Sequence, residues 1–271
     1  MTPFLKWAGG KNWLVKNHSD LFPQEYKKYY EPFLGAGAVM LYLQPKNGYV
    51  TDINSELIGT YNAIKDHWRE VEKELQKHQK EHSRKGNEEY YYKIRSATYS
   101  SDIKKAARMI YLNRTCFNGI YRVNQKGEFN VPKGSKENVV LPDDDFEAVS
   151  KVLKRIRIEH ADYTRAITRA QKGDFLYCDP PYAIKEKGQG FLGYTGKRFD
   201  WEDQKKLAML IISAKQRGVM ILVTNVDDPD VRELYEEEPG FSFIETARSC
   251  SISGGNKGRK KYKELIIKAN Y

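Results

Sequence analysis

An apolar run, Phe175-Leu-Tyr-Cys178, ends at Asp179-Pro180-Pro181-Tyr182, and this junction limits what the chain can fold into. A short apolar run bounded by turn formers reads as a buried strand. Proline lacks a ladder donor and fixes its own φ, so two in succession force the chain out of the sheet in a stiff turn. That turn presents the Asp179 carboxylate, the Pro180 carbonyl and the Tyr182 ring together. The two acceptors can take hydrogen bonds from one amino group, and the flat ring can stack on a base. The exocyclic amine of a nucleobase is a poor nucleophile because its lone pair is delocalised. Preorganised acceptors in a dry site would push that nitrogen toward a tetrahedral, reactive form. The same tetrapeptide also reads as a plain rigid turn after an edge strand, so its context has to decide.

The context is a strand and helix alternation. Residues 27–31 read as a strand running into Glu31-Pro-Phe-Leu-Gly-Ala-Gly37, followed by the helix-like Met40-Leu-Tyr-Leu43. Strand, glycine turn and helix form the entry of a nucleotide-binding α/β unit. Gly35 and Gly37 stand at G-x-G spacing, but no third glycine follows at the helix-packing position. Tyr49-Val-Thr51 reads as a second strand ending in Asp52, where an acidic residue commonly takes a ribose hydroxyl pair. Together these features favour an adenosine-containing cofactor and leave open whether it is a dinucleotide or S-adenosylmethionine. Asp52 alone also reads as a helix N-cap. A later strand, 156–161, ends at Asp162-Tyr163. In the same sheet, Asp162 could accept a hydrogen bond from a cofactor adenine and Tyr163 could pack on its face. His160 reads as a strand residue. A helix at 202–217, a strand at 219–224 and late strands near 241–246 and 263–268 continue the pattern.

The remaining segments are less regular. Phe4-Leu-Lys-Trp-Ala-Gly-Gly-Lys11 forms a compact turn before a helical stretch at 12–22, with Trp7 as a stacking face and Lys11 as a cation. Apolar spacing predicts helices over 56–82 and 102–113, with a polar loop at 82–89. These helices interrupt the strand pattern, so 56–150 reads as an inserted subdomain. Within it, 111–133 interleaves basic, amide and aromatic side chains around a hairpin turn, Asn124-Gln-Lys-Gly127. A β-ribbon of this kind can enter the major groove, where Arg reads guanine and Asn reads adenine. It also reads as a solvated hairpin whose aromatics pack on the helices. After Tyr182, Gly188, Gly190, Gly193 and Gly196, with Phe191, Tyr194 and Phe199, suggest a lid. Lys257, Arg259, Lys260, Lys261 and Lys263 form a basic run suited to phosphates or to solvent.

Bulk properties bound the partners. The 271 residues carry a formal net charge of +10, which suits a polyanion. Cys116, Cys178 and Cys250 are far apart and form no CxxC pair, so neither a disulfide framework nor a zinc cluster is expected, and a reducing cytoplasm fits. The opening seven residues lack a signal-peptide apolar core. No apolar run approaches the roughly 20 residues that span a bilayer.

Six motifs occur in one order: Phe4–Lys11, Glu31–Gly37, Asp52-Ile-Asn54, Asn118-Gly-Ile-Tyr-Arg122, Gly127–Pro132 and Asp179–Tyr182. In that order they closely resemble the Dam-type DNA adenine methyltransferases, from residue 4 to the end. The resemblance implies an α/β fold: a seven-stranded, mostly parallel class I methyltransferase sheet with helices on both faces. It also implies a helical and β-hairpin target-recognition insert at 56–150, with 1–55 and 151–271 forming the catalytic part. It implies S-adenosyl-L-methionine as cofactor and no metal. By motif, Trp7, Lys11, Asp52 and Asp179 become cofactor contacts, supported by Phe33, Gly35, Gly37, Asp162 and Tyr163. Tyr163 stands where the family usually has Phe. Lys6, Asn118 and Arg122 fall on DNA-reading positions, and Phe117 and Ile120 fall where side chains probe or fill the stack.

Asp179, Pro180 and Tyr182 would act on an adenine flipped from double-stranded DNA, most often within GATC. Ala183–Gly190 and the bulky Tyr121 depart from the family pattern near the DNA. A companion restriction endonuclease and a monomer or weak dimer are further expectations. Methylation of RNA or protein glutamine, or DNA binding without catalysis, are the rival readings. The aromatic hairpin and the positive charge weigh for duplex DNA, and the intact 179–182 turn weighs for catalysis.

Overall fold

The computed structural model describes residues 1–84, 87–185, 199–249 and 261–271, without the side chains of 247–249, 261 and 262. Gly188–Gly196 of the expected lid and Lys257–Lys260 of the basic run lie outside the described residues. The strands are β1 (Tyr29–Glu31), β2 (Gly48–Asp52), β3 (Ile156–His160), β4 (Phe175–Cys178), β5 (Met220–Val226), β6 (Phe241–Ser249) and β7 (Lys261–Ala269). They form one seven-stranded sheet in the order β3-β2-β1-β4-β5-β7-β6. Neighbours from β3 across to β5 pair in parallel, and β7 runs antiparallel to both β5 and β6. From β1 the chain builds outward through β2 and β3, then returns to lay β4 and β5 on the other side. The switch in strand order between β1 and β4 opens a crevice at the carboxyl ends, where open α/β sheets bind ligands. Both glycine turn and double proline lie there because they follow these two strands.

Described helices are α1 (Asn12–Asn17), α2 (Ala38–Leu43), α3 (Ser55–His82), α4 (Asn87–Ser96), α5 (Asp102–Thr115), α6 (Phe146–Leu153), α7 (Thr164–Ile167), α8 (Trp201–Gln216) and α9 (Pro229–Glu236). Alternation along the strands divides the sheet into two faces. Tyr29, Val50, Phe175, Tyr177, Leu222 and Ile266 share a core with Leu14, Met40, Leu57, Ile64 and Leu153. Tyr30, Tyr49, Leu176, Cys178, Val223 and Ile267 share another with Ile167, Leu207, Ile211 and Tyr235.

The long helix α3 couples the sheet to the insert. Asn54 caps it, its side-chain oxygen accepting from Leu57 N–H at 3.0 Å. The backbone leaves helical geometry at His67, with φ −138° and ψ 37°. Before that point Leu57, Tyr61 and Ile64 are buried, and beyond it Val71, Leu75, His78 and His82. Each fully buried aliphatic side chain contributes about 1.5–3 kcal/mol, which is what holds so charged a helix in place. His78 stacks on the Tyr111 ring of α5 with centroids 4.9 Å apart, and His82 Nδ1 lies 2.9 Å from the Tyr111 hydroxyl.

Several boundaries differ from expectation. The helix expected over 12–22 stops at Asn17, and a 3-10 turn, Ser19–Leu21, follows. Pro23 accounts for part of this, since it disfavours helical geometry at the residue before it. The polar loop expected to reach 89 gives way to α4 at Asn87, which buries Tyr91 and Ile94. The expected hairpin has the right turn, with Gly127 N–H donating to Asn124 O at 3.0 Å, but its arms meet only at isolated bridges. Its core-facing side chains, Tyr121, Phe129 and Val131, are buried, so tertiary packing rather than a strand ladder fixes the segment.

Candidate active site

Asp179 follows directly on β4 at the switch point. Its Oδ1 accepts from two side chains. One is the buried Lys11 ammonium at 2.7 Å, and the other is the Thr224 hydroxyl at 2.9 Å. Lys11 also donates to Gly9 O at 2.8 Å and lies 5.5 Å from the centre of the Tyr182 ring. The N-terminal turn is thereby tied to the double-proline turn. Pro180 is buried, and Asp179 and Tyr182 are half-buried. Behind Thr224 stands Tyr177, fully buried, with its hydroxyl 3.2 Å from Thr224 Oγ1. Burial, with the Asp179 charge nearby, holds the Tyr177 phenol well above its ordinary range. Thr224 was absent from the sequence expectations. The signal was the register: Cys178 pairs with Val223, so the next positions, Asp179 and Thr224, come together at the sheet edge.

The β1 and β2 ends form the adjoining half of the crevice. Asp52, the last residue of β2, accepts from Gly35 N–H on Oδ2 at 3.0 Å and from Asn54 N–H on Oδ1 at 2.9 Å. Desolvation lifts its carboxyl above the usual range, and the backbone donors pull it back. Gly35 and Gly37 take φ of +49° and +62°, where a side chain is strained. A Cβ on Gly35 would also stand 3.0 Å from the Trp7 ring, and one on Gly37 2.9 Å from the Tyr61 hydroxyl. Phe33 and Tyr163 stack with centroids 5.3 Å apart, and Phe199 meets both edge-on. Phe199, at the end of the expected lid, therefore packs with this pair in an aromatic cluster. Asp162 is exposed and accepts from Thr164 N–H at 2.9 Å. His160 ends β3, with its ring 2.9 Å from Ile53 O. Glu31, also unexpected, is fully buried under the crevice; desolvation raises it well above the carboxylate range, and the Tyr29 hydroxyl donates to it at 2.9 Å.

The residues expected to meet DNA occupy a different surface. The buried Asn113 side chain pairs with the backbone of Lys6 in both directions, each at 2.8 Å. The Lys6 side chain is exposed and runs past Gly119. Contact with the Lys136 ammonium, then partial burial, brings Lys6 down to about 8. Asn118 takes a left-handed φ of 56°, which turns the chain so that Phe117 stands 49% exposed. Ile120 is half-buried, and Arg122 is exposed with Nε donating to Asn130 Oδ1 at 2.8 Å. Tyr121, the bulky departure from the family pattern, points into the protein. It is 6% exposed, stacks on Trp7 at 5.2 Å, and donates to Glu56 at 2.6 Å. Its bulk is absorbed in packing beneath the N-terminal turn, so one face of Trp7 is covered by protein.

A buried ion pair fastens these pieces. Arg114 grips Asp144 with two bonds of 2.6 Å and also donates to Phe4 O and Val139 O. The N-terminal turn, α5 and the approach to α6 meet at this one guanidinium.

Residues 7–252 match the family model of D12 class N6 adenine-specific DNA methyltransferases. The chain belongs to that family. It is 36% identical over 280 residues to the Type II methyltransferase M1.LlaDCHI of Lactococcus lactis subsp. cremoris, covering 100% of this chain and 96% of the relative. It is 34% identical over 285 residues to the Type II methyltransferase M.MjaIII of Methanocaldococcus jannaschii, covering 98% of each. The DNA adenine methylase of Vibrio cholerae O395 is 36% identical over 267 residues, covering 97% of this chain and 94% of the relative. The protein is an adenine-specific DNA methyltransferase, with S-adenosylmethionine as methyl donor and DNA as substrate. The crevice fits that donor. A buried ammonium at Lys11 suits a carboxylate, and the Asp52 carboxylate, with one backbone donor on each oxygen, keeps lone pairs suited to hydroxyls. Among the described residues, no helix is long and apolar enough to cross a membrane.

Proposed function

We propose that the protein methylates the exocyclic nitrogen of an adenine flipped out of duplex DNA, within GATC, using Asp179, Pro180 and Tyr182. The observation that carries this reading is the Asp179 carboxylate at the switch point, fixed through one oxygen by Lys11 and Thr224 beside the Tyr182 ring. When bound, S-adenosylmethionine supplies an electrophilic methyl on a sulfonium sulfur. Asp179 and the Pro180 carbonyl accept the two amine hydrogens and draw the nitrogen lone pair out of conjugation. Tyr182 stacks on the base and holds the nitrogen in line, the alignment that makes an intramolecular-like step fast. Flipping is needed because the amine cannot reach a buried donor while stacked.

For the cofactor, Lys11 takes the carboxylate and Asp52 the ribose hydroxyls. Phe33 and Tyr163 line the adenine side, with Asp162 as acceptor, and Trp7, Gly35 and Gly37 shape the approach. Lys6, Asn118 and Arg122 read bases, while Phe117 and Ile120 enter the stack where the adenine leaves it. The catalytic part comprises 1–55 and 151–271 and the recognition part 56–150, with α3 shared between them. The Type II names of two relatives support a companion restriction endonuclease. The enzyme works as a monomer or weak dimer in the cytoplasm, on the nucleoid.

The test is transfer of labelled methyl from S-adenosylmethionine into unmethylated duplex DNA, with modified adenines mapped by sequencing. Modification confined to GATC is expected. Modification of adenine in another context would overturn the site preference alone. Cofactor binding with transfer only to RNA or protein would overturn the substrate.

A further inference from the structure

We propose that Thr224, itself held by Tyr177, is a positioning residue that aims the second oxygen of the Asp179 carboxylate, which accepts no hydrogen bond among the described residues, at the adenine amine. This rests on Asp179 being the amine acceptor. An ionised carboxylate only accepts hydrogen bonds, so the 2.9 Å contact requires the single Thr224 proton to point at Asp179 Oδ1. With that proton engaged, the 3.2 Å contact between Tyr177 and Thr224 is satisfied when the phenol donates to Oγ1. The direction of the chain is therefore fixed: Tyr177 to Thr224 to Asp179. Tyr177 is fully buried and, far above its ordinary pKa range, keeps its proton at every working pH.

Two donors on Oδ1, Thr224 at 2.9 Å and Lys11 at 2.7 Å, lock the plane of the carboxylate. Oδ2 is then presented with its lone pairs in a defined direction. The two donors differ in kind. Lys11 sits on a flexible stem in a glycine turn and has a third N–H for another anion, such as a cofactor carboxylate. Thr224 lies on β5, a strand bonded to β4 on one side and β7 on the other, and is held by the sheet rather than by a long side-chain stem. The hydroxyl is therefore the contact that keeps Asp179 aimed while the ammonium serves two anions. Catalytic groups need supporting contacts of this kind to hold geometry to a fraction of an ångström.

The experiment compares single-turnover methyl transfer at saturating cofactor and duplex for wild type, Thr224→Val, Thr224→Ser, Tyr177→Phe and Asp179→Ala. Losing a hydrogen bond to a charged group from the reacting geometry is expected to slow Thr224→Val about 10- to 100-fold. Cofactor and DNA affinities should stay within about twofold, because the lost contact acts only on the aim of Asp179. Thr224→Ser restores the hydroxyl and should recover most of the rate. Tyr177→Phe should fall between wild type and Thr224→Val. If Thr224→Val does not fold, the Ser and Phe variants still decide. Wild-type transfer by Thr224→Val or Tyr177→Phe, with Asp179→Ala inactive, would overturn the proposal. So would an equal loss in Thr224→Ser and Thr224→Val. Wild-type transfer by Asp179→Ala would instead overturn the underlying role of Asp179.

Discussion

The β4 edge and the 117–130 segment are both polar, yet they are built differently. At the edge, Asp179 is held by Lys11 and Thr224, and Thr224 is backed by a buried phenol on the central sheet. In the segment, Phe117 and Asn118 stand exposed and Arg122 is steadied by Asn130 alone among side chains of the described residues. The first arrangement fixes geometry before substrate arrives, which is what transition-state stabilisation needs. The second leaves exposed side chains room to adapt, as the proposed reading of base edges requires. Between them, Asn113 and Arg114 of α5 clamp the N-terminal turn, so Lys6 and Lys11 are carried on one short loop that serves both regions.

Removing the centre of the rigid region should have the largest effect. Asp179→Ala is expected to lower methyl transfer by at least about 100- to 1,000-fold while DNA binding persists, judged from losses when a preorganised polar group is deleted. Single-turnover rates beside a binding titration check it, and wild-type turnover would erase the contrast. Next is the clamp. Asp144→Ala leaves the Arg114 guanidinium buried and unpaired, and should cost about 3–5 kcal/mol in urea unfolding. A change under about 1 kcal/mol would mean the ion pair does not hold the two regions together.

In the adaptable region the effects should be smaller and of another kind. Arg122→Ala should relax preference at one base pair by about 1–3 kcal/mol, with little change in rate at the cognate site. Equal discrimination over all single-base variants would remove it from the reading set. The smallest effect concerns Lys6, whose ammonium is brought to about 8 by Lys136 and partial burial. Free enzyme loses this proton above that pH, while DNA phosphates favour the charged form, so association takes up a proton. Affinity should then fall by up to about tenfold per pH unit above 8 in wild type, and less steeply in Lys6→Gln. Parallel pH profiles for the two proteins would exclude Lys6 from the interface.

The strand ends were the most legible part of the sequence. Gly35, Asp52 and Asp179 could be placed at one edge because short apolar strands followed by glycine or proline leave the sheet at known points. Thr224 was missed because it stands in no special turn, and Glu31 was read only as the start of a motif, with no role of its own. They matter only through neighbours on adjacent strands, and strand order is a long-range property. The environment of Tyr121 was hidden for the same reason: its hydroxyl goes to Glu56 and its ring to Trp7, both distant in sequence. The helix α4 was hidden behind a polar leader, and only the burial of Tyr91 and Ile94 makes it visible.

The most direct measurement is a crystal structure of the enzyme with a non-reactive cofactor analogue and a GATC duplex, compared with the enzyme alone. The expected result is an extrahelical adenine with its amine within hydrogen-bond distance of Asp179 Oδ2 and the Pro180 carbonyl. The Asp179–Thr224 contact should be unchanged, and the 117–130 side chains should be rearranged against the major groove. An adenine amine held elsewhere, or a β4 edge that reorganises while the hairpin stays fixed, would contradict the account.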